Sequence, residues 1–319
     1  MSSPAAVSHS TLGAMVIGTL VSYTLFGMST IQVYLYYSGF PDDSRRLKFL
    51  VALVWALELA HSICIGQMLY NWLISDYTHP DRLDFLPWGL YVSGVFNACI
   101  ALCVQGFYSF RIYTLWNSVY VPSLACILAL SRLVLNIALV FFGQNVPVET
   151  FEKRSGWGLT VNWATGTAND LTIAISLVCW LYLNRSDVNQ RTGALFDKII
   201  KWTIQTGALL SATTTVTLIC FLTMRKNYVW VAVYVVQARL YSNSFFSSLN
   251  SRTTLRAMDQ ATAATTPLSI NELNAVAPAE AAKLNGAQES QRTMPIFAHS
   301  EVYNISVNTR RLSSGSVSQ

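Results

Sequence analysis

Long apolar runs separated by short polar segments are the main pattern in this 319-residue sequence. A helix needs roughly 20 mostly apolar residues to cross a bilayer, because lipid cannot form hydrogen bonds with an open backbone. Seven runs reach this length, at residues 11–37, 47–74, 86–116, 119–142, 158–183, 198–224 and 228–249. The pattern predicts an all-α membrane protein, a bundle of seven transmembrane helices, with a tight turn near Asn117 between the third and fourth.

The two ends of the chain differ from its apolar middle. Residues 1–10 contain no Lys or Arg, and the run that follows is too long for a signal-peptide core, so we interpret it as a retained span. Residues 251–319 are rich in Ser, Thr, Ala, Asn and Gln, and bury too little apolar surface to offset the entropy of ordering. We predict a short outside N-terminus (1–10), a transmembrane domain (11–250) and a disordered cytoplasmic tail (251–319).

The distribution of Lys and Arg among the loops predicts the orientation, because cytoplasmic loops are usually richer in both. One set of loops, with the segment after the last span, contains ten: Arg45, Arg46, Lys48, Arg111, Arg185, Arg191, Lys198, Lys201, Arg252 and Arg256. The other set contains five: Arg82, Lys153, Arg154, Arg225 and Lys226. We therefore predict an outside N-terminus and a cytoplasmic C-terminus.

Reporter fusions test this orientation. A reporter fused after Asn250 should be cytoplasmic, and a tag placed before Ser10 should be labelled on intact cells or sealed vesicles, because the excess of basic residues lies on the side of Asn250. A reporter after Asn250 that is exposed outside the cell would contradict the predicted orientation.

Composition agrees with a membrane protein. Hydrophobic residues make up 52% of the chain and charged residues only 12%, against about 25% charged residues in soluble proteins. The net charge of +5 is modest, and the basic residues lie at span ends and in the tail, so we expect the lipid bilayer and no nucleic acid as a partner. We predict a multi-pass integral protein of either the plasma membrane or an internal membrane.

Five ionisable residues lie near the middle of predicted spans, where a charge costs from about 2.5 to over 10 kcal/mol and is a functional candidate by default. They are Glu58, His61, Arg132, Asp170 and Arg239, and Asn243 lies one turn beyond Arg239. With a rise of about 1.5 Å per residue, the five charges fall within a layer roughly 10 Å thick. These six residues are the candidates for a ligand site or for ion pairs.

Three interpretations of this charged layer remain open. The first is buried ion pairs that fix helix register, either Glu58 with Arg132 and Asp170 with Arg239, or the crossed pairs. The second is a hydrated cavity that binds a small ligand or passes protons. The third is that one span end is misplaced, so that its charge reaches the membrane surface by snorkelling.

Enzyme signatures are absent from the sequence, so we expect no catalysis, cofactor or metal. The four His are too few for a histidine-box centre, and Glu58-x-x-His61 resembles only half of a di-iron site, which needs two such motifs and further Glu. There is no Gly-x-Ser-x-Gly and no phosphate-binding Gly-rich loop. Seven predicted spans with an outside N-terminus and a cytoplasmic C-terminus are the arrangement of known seven-helix receptors, so we expect by analogy a receptor-like or sensor protein. The alternatives are a small-solute or proton-coupled transporter, or a structural protein with buried ion pairs only.

A kinase site is a further candidate. Arg310-Arg311-Leu312-Ser313 has two Arg and a spacer before the hydroxyl, the pattern that basophilic kinases prefer. We predict that a cytoplasmic kinase or another tail partner acts at Ser313, where phosphate adds about −1.5 to −2 charge and weakens Arg contacts with anionic lipid. Chance occurrence in a Ser-rich tail remains the alternative.

The segment Gln237-Ala-Arg-Leu-Tyr-Ser-Asn-Ser-Phe-Phe-Ser-Ser-Leu-Asn-Ser-Arg252 resembles the closing motif of a fungal family of multi-pass membrane proteins, catalogued as domain of unknown function 6534. Weaker resemblances are Gln32 to Tyr37, Phe40-Pro41, Leu47-Lys48, Glu58 to His61 and Gln205-Thr206-Gly207. The loop from Asn184 to Asp197 departs from the family's Ser-Arg-Thr-Gly pattern. The resemblance covers residues 11–252 and implies a seven-helix membrane fold without an assigned activity.

Overall fold

The computed structural model describes residues 4–75, 85–143, 146–184, 190–224 and 229–265. These ranges form seven α-helices: α1 (Pro4–Gly39), α2 (Arg45–Tyr70), α3 (Trp88–Trp116), α4 (Tyr120–Gly143), α5 (Val148–Leu183), α6 (Gln190–Thr223) and α7 (Val229–Thr265). A π-helical turn, Asn71–Ser75, follows α2, and extended backbone in the described ranges is limited to one isolated bridge between Phe85 and Pro147. The prediction of an all-helical fold is confirmed.

Side chains in the loops explain where two helices begin and end. The Ser44 Oγ accepts a hydrogen bond of 3.4 Å from the Leu47 N–H and so caps the first turn of α2. Asn117 has a φ of 49° and ends α3 in the left-handed conformation, which Asn adopts more readily than most residues. The tight turn predicted near Asn117 is confirmed.

Several helices extend beyond the predicted apolar runs. α1 already begins at Pro4, within the predicted outside segment, because the first turn of a helix does not need the N–H that proline lacks. α7 continues to Thr265, so residues 251–265 are helical and the prediction of a disordered tail from residue 251 is wrong over this part. The Ala-containing sequence there favours helix. Residues 266–319, with Ser313, lie outside the described residues.

Among the described residues, six helices are long and apolar enough to cross a membrane. These candidate spans are Leu12–Gly39, Arg45–Ser75, Trp88–Trp116, Tyr120–Gly143, Lys153–Leu183 and Thr203–Thr223. In each of them except Trp88–Trp116, no more than 33% of an 18-residue apolar stretch is buried within the bundle. Most apolar side chains of these five helices therefore face outward. Soluble proteins rarely expose contiguous apolar surface on this scale. The chain is a multi-pass helical membrane protein.

α7 is not among these six spans, because polar side chains interrupt its apolar sequence. It is instead enclosed by the other helices: between residues 229 and 252, only Ser247 is exposed. α7 exchanges hydrogen bonds with every other helix, through Ser22 of α1, Ser62 of α2, Tyr108 of α3, Arg132 of α4, Asp170 of α5 and Thr214 of α6. Polar groups on α7 are therefore shielded from lipid, where they would be costly. Six of the seven predicted spans are supported, and the crossing by α7 stays a prediction.

One glycine allows α7 to approach α1 closely. A Cβ built on Gly18 would lie 2.6 Å from the Ala232 carbonyl oxygen and 2.9 Å from the Ala232 Cβ, which is too close for any side chain. Small residues at such crossings let membrane helices pack backbone against backbone. This contact places α1 beside the half of α7 that precedes Arg239.

Candidate functional site

Arg239 lies near the middle of the predicted seventh apolar run, residues 228–249, which forms the first part of α7. Its side chain is completely buried. Its Nε donates to Ser22 Oγ (3.0 Å), its Nη2 to Ser62 Oγ (2.9 Å) and its Nη1 to the Glu58 carbonyl oxygen (3.0 Å). The Nη1 also lies 3.3 Å from Glu58 Oε1, and both side chains of this ion pair are 0% exposed. The Arg239 Cζ is 5.2 Å from the centre of the Phe26 ring, a cation–π distance. We name these residues, with His61, the Arg239 cluster.

His61 completes the Arg239 cluster as a neutral side chain. Its Nδ1 lies 3.1 Å from Arg239 Nη2. A guanidinium only donates hydrogen bonds, so Nδ1 accepts and the ring proton is placed on Nε2. Within the described part of the chain, the buried Nε2 has no hydrogen-bond partner, and neither carboxylate oxygen of Glu58 accepts a hydrogen bond. The carboxylate is balanced mainly by the charge of Arg239.

Glu58 and His61 share one face of α2, as their spacing predicts. A metal centre needs further ligands around such a pair. Among the residues that the structure describes, no group of three His, Cys, Asp or Glu side chains lies close enough to hold a metal ion. In the described ranges, Glu58 and His61 therefore have no neighbouring ligand that would complete a di-iron site.

A second buried group, the Tyr241 cluster, joins α4, α5 and α7. Arg132 Nη1 donates to the Tyr241 hydroxyl (2.9 Å), and this hydroxyl donates to Asp170 Oδ2 (2.6 Å). Gln105 Nε2 of α3 donates to the other carboxylate oxygen, Asp170 Oδ1, at 2.8 Å. Arg132 and Asp170 are 2% and 5% exposed, and the described contacts include no direct ion pair between them. Tyr241 therefore connects an acid and a base that do not touch.

The two clusters lie at nearly the same level of α7 but on different sides. Arg239 and Tyr241 are two positions apart, which is about 3 Å along the axis and about 200° around it. Arg239 faces α1 and α2, and Tyr241 faces α4 and α5. Both sides of α7 are thus held by charged groups at one level.

Only part of the predicted pairing is found. The pairing of Glu58 with Arg132 and of Asp170 with Arg239 is wrong, because each acid faces the other base. The crossed pairing is seen directly for Glu58 with Arg239, and through Tyr241 for Asp170 with Arg132. Snorkelling is also wrong for these four residues, since all are buried.

Asn243 of α7 forms hydrogen bonds with α1. Its Nδ2 donates to Leu25 O (3.2 Å), Ser29 Oγ (2.9 Å) and Arg239 O (2.8 Å). These contacts lie one turn from the Arg239 cluster, and the side chain is half-buried. The structure therefore places this predicted site residue in a helix–helix contact.

Gly166 makes room for the Arg132 guanidinium. A Cβ built on Gly166 would lie 3.1 Å from Nη1 and 3.2 Å from Cζ of Arg132, whereas a Cβ on Gly106 of α3 would meet nothing within 4 Å. Gly106→Ala should therefore raise the free energy of unfolding, by about 0.5–1 kcal/mol from helix propensity. Gly166→Ala should lower it by about 1–3 kcal/mol, because the guanidinium must move. Unfolding of the two variants in detergent, compared with the parent, measures the difference, and equal stability would contradict the packing around Arg132.

A second direct ion pair among the described residues, missed by the sequence analysis, lies at one end of the bundle. Arg252 of α7 bonds Asp43 of the α1–α2 loop through two contacts, Nη2 to Oδ2 at 2.5 Å and Nη1 to Oδ1 at 3.2 Å. The Tyr36 hydroxyl donates to the same Oδ2 (2.9 Å), and the Arg252 Cζ lies 4.1 Å from the centre of the Phe40 ring. The closing motif ends on Arg252 and the first loop carries Asp43, but nothing in the sequence pairs them.

A cavity of about 580 Å³, here named the end cavity, lies beside Arg252 between α2, α3, α6 and α7. Its lining residues are Leu47, Phe107, Tyr108, Arg111, Thr203, Gln205, Thr206, Ser244, Ser247, Ser248, Leu249, Ser251 and Arg252. This volume lies within the range of about 300–1,000 Å³ that holds small-molecule ligands. Gln205 and Thr206 belong to a motif singled out in the sequence, but their place beside Ser247 could not be foreseen.

The charged layer itself has little free space. A cavity of about 30 Å³ adjoins Gln105, Asp170 and Tyr241, and one of about 50 Å³ adjoins Asn136 and Asn162. Such volumes hold a water molecule or two rather than a small-molecule ligand. Of these three cavities, only the end cavity is large enough for a small-molecule ligand, and the predicted site residues do not line it.

Comparison with known proteins gives one match. Residues 166–254 match the model of a family of unknown function, DUF6534, which is the family that the closing motif resembles. The matched residues run from α5 to α7 and include Asp170, Arg239, Tyr241 and Arg252. No curated protein and no solved structure matches the chain.

Proposed function

We propose that this chain, which matches the DUF6534 model over residues 166–254, is a receptor-like membrane sensor that binds its ligand in the end cavity. One observation carries the proposal: α7 lines the end cavity and also forms both charged clusters. A ligand that contacts Ser244 lies about one turn from Tyr241, so a displacement of α7 on binding reaches both clusters. In this proposal α7 is the seventh span and the end cavity faces the cytoplasm.

The packing of the charged layer favours a sensor over a carrier. A carrier exposes a site near the midplane to each side of the membrane in turn. In this bundle Glu58, His61 and Arg239 are completely buried, and the cavities beside the layer measure only about 50 and 30 Å³. A large cavity at one end of the described bundle suits a site that opens to one side.

A proton-coupled carrier is the second candidate, supported by the Arg239 cluster. In the described ranges, the buried His61 Nε2 has no hydrogen-bond partner and the Glu58 carboxylate accepts no hydrogen bond. Both groups can bind or release protons, and buried acids and His chains mark proton pathways in many transporters. A carrier of this kind would open a path from the end cavity past Glu58 to the opposite side.

Cysteine labelling at Ser247 separates the candidates. Ser247 is the exposed position of α7 in the end cavity. Ser247→Cys, in a chain whose six native Cys are replaced by Ser or Ala, is exposed in sealed vesicles of either orientation to a thiol reagent that cannot cross the membrane. Ser242→Cys is the matched control, because Ser242 is on the same helix and 0% exposed.

Each outcome favours one hypothesis. Labelling of Ser247→Cys from one side only, with Ser242→Cys unlabelled, is expected for the sensor. Labelling from both sides would contradict the sensor and support the carrier. No labelling from either side would leave a structural protein with buried ion pairs, and would overturn both proposals.

A further inference from the structure

Positive charge lines the end cavity. Among the described residues, the charged side chains in its lining are Arg111 and Arg252. Arg252 is neutralised by its two contacts with Asp43. The Arg111 guanidinium makes no ion pair or hydrogen bond with the side chains that the structure describes. With respect to the described side chains, the five N–H donors of the Arg111 guanidinium are available to a ligand in the cavity.

Hydroxyl groups line the same cavity. Ser244, Ser247 and Ser248 follow one another at spacings of three and one, so they share one face of α7. The Tyr108 hydroxyl donates to the Ser244 carbonyl oxygen (3.3 Å), which leaves the Ser244 hydroxyl outside this contact. Serine hydroxyls rotate to donate wherever an acceptor is placed. The cavity thus combines the Arg111 guanidinium with serine hydroxyls on one face of α7.

From these donors we infer that the end cavity binds a phosphate group. The inference rests on the proposed function, because it names the ligand class of the same cavity. A phosphate monoester presents three strong acceptor oxygens, of which two can bind the guanidinium fork and the third the serine hydroxyls. A carboxylate can also meet the guanidinium fork, but it has no third oxygen to direct at the serine hydroxyls. The chemistry therefore favours phosphate.

The rest of the cavity wall indicates what the phosphate is attached to. Leu47, Phe107 and Leu249 line the cavity beside the polar groups. An apolar wall next to a cationic site fits an organic phosphate with an apolar part. A lipid with a phosphate monoester headgroup and a soluble phosphorylated metabolite share this chemistry, so the test has an arm for each source.

The first arm uses inorganic phosphate as the probe. The purified full chain in detergent should show a higher midpoint of thermal unfolding in phosphate than in chloride of equal ionic strength, because phosphate binds the folded state. Arg111→Gln should raise the half-saturating phosphate concentration about ten- to a hundred-fold, since a hydrogen bond to a charged group is lost. Arg46→Gln is the matched control, because Arg46 is exposed at the start of α2, and it should leave the phosphate response unchanged.

The second arm uses phosphatidate in nanodiscs of otherwise neutral phosphatidylcholine. Native mass spectrometry should find phosphatidate retained by the parent and by Arg46→Gln, and lost from Arg111→Gln. Retention of phosphatidate without a response to inorganic phosphate assigns the site to a lipid headgroup. A response to inorganic phosphate without lipid retention assigns it to a soluble ligand. Both outcomes support the phosphate site.

The inference is overturned if neither probe binds in an Arg111-dependent way. Ser247→Asp is the second variant in case Arg111→Gln does not fold: it places a carboxylate in the cavity at an exposed position, and should abolish the response to either probe. One-sided labelling of Ser247→Cys together with no phosphate response refutes the phosphate inference alone. Loss of one-sided labelling refutes the proposed function as well.

Discussion

Glu58→Gln is expected to lower the free energy of unfolding by about 3–5 kcal/mol, the cost of leaving a buried charge without its partner. Arg239 is completely buried and its other contacts, to Ser22, Ser62 and His61, are neutral. A guanidinium cannot lose its charge in a protein, so it cannot adapt to the loss of the carboxylate. Denaturation of the purified variant in detergent measures the loss.

A double-mutant cycle shows whether the loss comes from the ion pair. Arg239→Met keeps much of the side-chain stem, and the double variant Glu58→Gln/Arg239→Met should be more stable than the sum of the single losses predicts. Asp42→Asn is the control for an acid changed to its amide, because Asp42 is exposed in the α1–α2 loop. Additive losses, or a Glu58→Gln variant as stable as Asp42→Asn, would show that the pair does not hold the bundle.

Asp170→Asn should produce a second large loss, again about 3–5 kcal/mol, because it leaves Arg132 without a nearby anion. Tyr241→Phe should cost about 2–4 kcal/mol, since it removes the hydroxyl that bonds both charged side chains. Tyr113→Phe is the matched control, because the Tyr113 ring is 43% exposed and its hydroxyl has no hydrogen bond to another described side chain.

A comparison of the single and double variants tests the role of Tyr241. If Tyr241 connects Arg132 and Asp170, the double variant Asp170→Asn/Tyr241→Phe should lose less than the two single losses added together. If Asp170 and Arg132 instead met directly, Tyr241→Phe would be as stable as Tyr113→Phe, and the arrangement described for the Tyr241 cluster would be contradicted.

The helical fold followed from apolar run lengths, because a bilayer imposes the same minimum length on every span. The charged layer was also foreseeable: Glu58, Arg132, Asp170 and Arg239 are all buried in the bundle, as their position in the runs predicts. Which acid pairs with which base could not be foreseen. The pairing depends on which helices pack against α7, and the lengths of the apolar runs do not show which helices pack together.

Other features depend on contacts that leave no periodic pattern in the chain. In the sequence, nothing distinguishes Tyr241 from the other aromatic residues of the apolar runs. Its role is visible only in the fold, where its hydroxyl contacts Arg132 and Asp170. The end cavity is formed by four helices that are distant in sequence. The helical start of the predicted tail was missed because the segment is polar, although its Ala, Met, Gln and Arg favour helix.

Both clusters, the end cavity and the proposed function depend on the enclosure of α7 by α1 to α6. Photolabelling from the lipid phase tests this enclosure most directly. A hydrophobic carbene precursor dissolved in the bilayer should label α4, where Val134 is 65% exposed, and should leave residues 230–246 unlabelled, because none of them is exposed. Labelling of residues 230–246 as dense as that of α4 would place α7 against lipid and contradict the account.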